Sequence, residues 1–101
     1  MTTYNKLVRD NLVDIMLSEG FNPEYRELSE SETEDELNKK LQEEVDEYLK
    51  DRNIEEIADI IEVIRAILEL KGYSIEDAEE VRKKKELKKG AFKKRIFLFH
   101  D

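Results

Sequence analysis

Between residues 54 and 70, Ile, Leu, Val and Ala recur at helical spacing, and two acids, Glu56 and Asp59, stand inside the apolar arc instead of opposite it. On a helical wheel, Ile60, Val63, Ala66, Ile67 and Leu70 surround these acids, while Glu55, Glu62, Arg65 and Glu69 gather in an ordinary solvated stripe. The arc covers about 240°, more than one neighbouring helix can bury. Ile61, Ile64 and Leu68 are therefore expected to pack on another subunit, which makes a dimer or tetramer the natural form.

The remaining elements follow from stop and start signals. Leu7, Val8, Leu12, Ile15 and Met16 predict a helix over 7–18, ended by Gly20. Ser31-x-x-Glu34 and Thr33-x-x-Glu36 both read as capping boxes for a helix running to about Lys50. Asp51-Arg52-Asn53 is a break, with Asn53 as N-cap of the apolar helix, which ends at Gly72. Ser74-x-x-Asp77 opens a last helix towards Gly90. Residues 24–28 alternate weakly and 95–99 form an apolar run; their pairing is the one small two-stranded β element the composition offers. The fold class read here is mainly α: a helical hairpin or bundle, completed by oligomerisation, in a single domain over 1–101.

Composition narrows the function. Charged residues make up 44% of the chain, yet the apolar run at 54–70 can offset the entropy of ordering it. There is no Cys, hence neither disulfide nor thiolate ligand. No apolar leader precedes Lys6, and no stretch reaches the roughly 20 apolar residues that span a bilayer. The expectation is a cytoplasmic protein with no membrane partner. The net charge of −8 is unevenly placed: 24–59 is acidic, whereas 82–95 holds nine Lys and Arg against Glu86 alone.

Acid spacing carries the chemistry. On the wheel of the helix at 33–50, Leu37, Leu41, Val45 and Tyr48 define the buried face; Glu44 falls inside it and Glu47 on its edge, while Glu43 and Asp46 point away. If 51–53 is a tight turn, the two long helices fold back as an αα-hairpin, and facing residues have numbers with a constant sum. Glu44 with Asp59 and Glu47 with Glu56 both sum to 103, which centres the hairpin at the break. Desolvation and mutual repulsion disfavour four carboxylates in one place, so they either take up protons or share a cation. With no Cys and one distant His, the all-oxygen set favours a hard ion, Mg²⁺ before Mn²⁺. The plainer reading makes Glu56 the returning member of the Asn53 cap, and E-x-x-E spacing is common by chance in Glu-rich helices. Placement of both pairs on facing sides, in register across a turn, favours the metal site.

Glu44-Val45-Asp46-Glu47 followed by Glu56-Ile57-Ala58-Asp59 resembles the ExxE…ExxD signature of the MazG-like, all-α NTP pyrophosphohydrolase superfamily. Tyr4-Asn5-Lys6-Leu7-Val8-Arg9-Asp10 and Lys89-Gly90-Ala91-Phe92-Lys93-Lys94-Arg95-Ile96 are similar to the ends of its short "house-cleaning" branch. The chain departs from the pattern in a shorter stretch between the acid pairs and in Lys89-Gly90-Ala91-Phe92, where Arg-Gly-Gly-Phe is expected. The resemblance implies Mg²⁺-dependent hydrolysis of a nucleoside triphosphate, canonical or not, to monophosphate and pyrophosphate. Glu44, Glu47, Glu56 and Asp59 would be ligands and catalytic residues, one glutamate doubling as general base. Phosphates beyond the metal need cations, with Lys6 and Arg9 first, then Lys89, Lys93 and Arg95 near Gly90. Competing readings are a phosphoribosyl-ATP pyrophosphohydrolase-like enzyme and a non-catalytic nucleic-acid or regulatory module using 82–95; nucleic acid is not the expected partner.

Overall fold

The computed structural model describes residues 2–101. Among them are four helices: α1 (Leu12–Ser18), α2 (Glu30–Asp51), α3 (Ile54–Leu70) and α4 (Ile75–Lys89). The fold is mainly α, and α2 and α3 form its centre as an antiparallel hairpin. Leu37 of α2 and Val63 of α3, 5% and 8% exposed, are its buried apolar residues.

Local chemistry sets each boundary. Ser29 accepts a hydrogen bond from the Glu32 N–H at 3.2 Å, and the Glu32 carboxylate accepts one from the Ser29 N–H at 3.1 Å. The capping box therefore lies at Ser29-x-x-Glu32, upstream of the two frames expected at Ser31 and Thr33, and α2 starts at Glu30. Arg26 secures this frame by pairing with Glu32 at 2.6 Å. The hairpin turn needs two residues only. Arg52 takes the left-handed conformation (φ 57°, ψ 33°), and Asn53 caps α3 by accepting from the Glu56 N–H at 3.1 Å. Lys71 Nζ reaches Glu34 at 3.0 Å and ties the far ends of the hairpin together. At the end of α3, the N–H of Tyr73 bonds back to Leu68 O at 2.8 Å and that of Gly72 to Glu69 O at 3.1 Å, a Schellman closure requiring positive φ at Gly72.

Two expectations fail. Residues 7–11 are not helical: α1 begins at Leu12, and the preceding segment runs as a loop held down by ion pairs to α2 and α3. Nor does any β pairing form among the described residues. Residues 24–28 and 95–99 are both non-regular, with Ile96, Phe97, Leu98 and Phe99 all strongly exposed. A two-stranded ribbon has too little cross-strand packing to hold without a surface beneath it.

The molecule is elongated, 58 × 31 × 23 Å with a radius of gyration of 17.9 Å. A compact chain of this length has a radius of about 13 Å. Helix α4 packs only on α3 among the helices. No helix among the described residues is long and apolar enough to cross a membrane.

Candidate metal centre

The hairpin register brings the acids together. Glu44 on α2 and Glu56 and Asp59 on α3 each offer a carboxylate oxygen, all within 4.8 Å of one another. Opposite ligands in a Mg²⁺ octahedron stand roughly 4 Å apart, so small side-chain rotations suffice to bring these oxygens onto one ion. Glu44 is buried, 7% exposed; Glu56 and Asp59 are half-buried. Glu47 is exposed at the rim beside Glu56.

The donor set fits a cation better than it fits itself. Glu44 Oε2 and Glu56 Oε2 are buried and have no hydrogen-bond partner among the described residues. Buried carboxylate oxygens are ordinarily paired, because an unpaired one loses its hydration without replacement. Burial raises the Glu44 pKa, and the charges of Glu47 and Asp59 push the same way against Lys40. Glu56 is raised by desolvation first, then by Glu47, Asp51 and Asp59. Both carboxyls are thus poised to shed their repulsion, by a proton or by a metal ion.

The capping explanation for Glu56 is also weakened. Ser29–Glu32 and Ser74–Asp77 are reciprocal boxes, each carboxylate accepting from the backbone N–H of its cap residue. At Asn53–Glu56 only the first half exists: Glu56 gives its backbone N–H to Asn53, but its carboxylate does not return the bond. That carboxylate turns towards the acid cluster.

Cations approach the same place. A pocket of about 260 Å³ is lined by Lys6, Val8, Arg9, Leu12, Lys40, Glu44 and Asp59. Arg9 Nη2 meets Asp59 Oδ1 at 2.8 Å, and Lys6 Nζ meets Glu43 Oε1 at 3.2 Å. Lys40 Nζ stands 3.5 Å from both Glu43 and Glu44. Lys6 and Arg9, expected to contact phosphates from one helix face, stand on a loop and are paired here with Glu43 and Asp59.

Glu43, expected to point away, is half-buried beneath Lys6. Desolvation opposes its ionisation, yet the Lys6 hydrogen bond and the Lys40 charge outweigh it and hold its pKa below the ordinary value. Lys40 escaped the sequence reading; its position four residues before Glu44 was the available signal. Lys89, Lys93 and Arg95 are not brought to the pocket: all three are exposed and none forms an ion pair among the described residues. The α4 helix that leads to them diverges from α2. Comparison of the chain with protein-family models, curated proteins and solved structures found no match.

Proposed function

We propose that the chain is a divalent-cation-dependent pyrophosphohydrolase that cleaves a nucleoside triphosphate to its monophosphate and pyrophosphate in the cytoplasm. The observation that carries this reading is the three-oxygen cluster with two buried, unpartnered carboxylate oxygens beside a pocket of cations. The likeness of the acid pairs and both chain ends to the MazG-like superfamily supports the reaction class. Glu44, Glu56 and Asp59 would hold the ion, Mg²⁺ before Mn²⁺, with Glu47 completing the set from the rim. When bound, the ion would neutralise charge on the phosphates and on the developing leaving group.

The chain's own side chains account for the rest. An acidic cleft repels a polyanion, so phosphate binding needs positive groups at its mouth; Lys6, Arg9 and Lys40 are there. Arg9 can present a planar fork to phosphate oxygens once it leaves Asp59. Glu47 has access to solvent and stands beside Glu56, which suits it to orienting a water and taking its proton as that water attacks an anhydride phosphorus. Val8 and Leu12 give the pocket an apolar wall.

The open face of α3, with Ile61 and Ile64 exposed and Leu68 half-covered, supports a homo-oligomer as the working form. The test is a pyrophosphate-release screen over standard and damaged nucleotides and phosphoribosylated nucleotides, with Mg²⁺ or EDTA, on wild type and Glu56→Gln. Turnover that needs Mg²⁺ and drops at least about 100-fold in the variant is expected. Equal, negligible release in every condition would defeat the proposal.

A further inference from the structure

One copy of the chain leaves far more surface open than a folded monomer does. Its accessible area is 9597 Å². A monomer of 12.0 kDa is expected to expose roughly 6,000 Å². The excess is several times the ~800 Å² per partner that a stable dimer buries.

Two apolar surfaces account for part of it. Ile54, Ile57, Ile61 and Ile64 form a stripe on α3 at helical spacing, all exposed. Ile96, Phe97, Leu98 and Phe99 are 79–84% exposed. Phe97 and Phe99 meet edge to face at 5.2 Å. Ile96 and Leu98 alternate with them in sequence, so laid out as a strand this segment is apolar on both sides. Such a run suits burial between two surfaces, and its own chain supplies neither.

Charge is also left unmatched. Residues 24–59 carry fifteen acids against five bases, and residues 82–95 nine bases against one acid. Within α4, Arg82 pairs with Glu79 and Glu86. The other eight bases of 82–95 form no ion pair among the described residues. The basic arm and the acidic hairpin complement each other, yet in one copy they diverge. A two-fold dimer would let each arm meet the other copy's hairpin, satisfying the match twice with a single contact type.

We propose that the arm over residues 90–99 is exchanged between two copies of this chain. Ile96–Phe99 of one copy seats on the Ile57, Ile61 and Ile64 stripe of the other, and Lys93, Lys94 and Arg95 lie against that copy's acidic hairpin. This rests on the homo-oligomer proposed above and is independent of the reaction. The chain has no native Cys, so an engineered pair reports without background. The full-length Ile61→Cys/Phe97→Cys double variant, mildly oxidised, is expected to give a covalent dimer whose peptide map shows the 61–97 link. A cross-linked monomer, or a wild-type dimer whose variant shows no 61–97 link, overturns the exchange while leaving the oligomer standing. Sedimentation equilibrium on wild type at about 20 µM reads the oligomer itself, and a monomer there overturns both. Phe97→Asp/Phe99→Asp, with helicity checked by circular dichroism, is expected to weaken dimerisation at least about 100-fold. An unchanged dissociation constant overturns the proposal.

Discussion

At the scale of single residues, Glu44 and Glu56 tie stability to pH and to metal. A carboxyl whose pKa is raised on folding binds its proton better in the folded chain. Its contribution is therefore complete below the unfolded value, near 4.5, and is lost as pH rises through the raised folded pKa. Glu32 acts in the opposite sense: Arg26 and the Ser29 cap lower it to about 2, so its contribution holds above 4.5 and is lost as pH falls towards 2. Thermal melts in EDTA should show this contribution falling away as pH rises above about 4.5, and millimolar Mg²⁺ should flatten that decline. A melting temperature that rises steadily from pH 5 to 8 in EDTA would contradict this account. Glu44→Gln removes a desolvated charge with an unpartnered oxygen, and should raise metal-free stability by about 1 kcal/mol while weakening Mg²⁺ binding. Denaturant unfolding in EDTA and calorimetric titration measure the two effects separately.

At the scale of elements, the α2–α3 hairpin joins fold to site. Arg52 stands in the left-handed region, where a side chain costs about 1 kcal/mol that glycine avoids. Arg52→Gly should therefore stabilise the protein by about 0.5–1 kcal/mol, and urea unfolding would show it. Much of this element was legible beforehand. The constant sum of facing residue numbers set the register, and Asn53 capped as read, because both depend on local rules that a helix wheel and an N-cap preference capture. The start of α2 was misjudged because three overlapping Ser/Thr-x-x-Glu frames compete, and the Arg26 pair that favours Ser29 joins residues outside the helix pattern. Residues 7–11 were misread as helix for a related reason: Lys6 and Arg9 are held by Glu43 and Asp59, contacts that no local spacing reports. Because Arg52 and Asn53 alone connect the helices, one residue inserted between Asn53 and Glu56 turns both acids by about 100° relative to Glu44. Such an insertion should abolish Mg²⁺ binding at unchanged helicity, whereas an insertion within 21–28 should leave binding intact.

At the scale of the whole molecule, the apolar arc of α3 was readable as more than one partner helix could cover, and Ile61 and Ile64 are indeed open. The detachment of 95–99 was not readable, since strand-like composition says that a segment wants burial but not where it finds it. The same four residues have a second consequence. Ile96-Phe97-Leu98-Phe99 is uncharged, free of proline and rich in β-formers, the make-up of a segment prone to fibrous self-assembly. Lys93, Lys94 and Arg95 on one flank and Asp101 on the other act as gatekeepers, because stacked copies would bring like charges into register. Replacing the three cations by alanine should leave the helices intact and start time-dependent light scattering at low micromolar concentration, with thioflavin fluorescence rising in step. The basic cluster at the end of this chain would then also serve as a guard against unlimited growth.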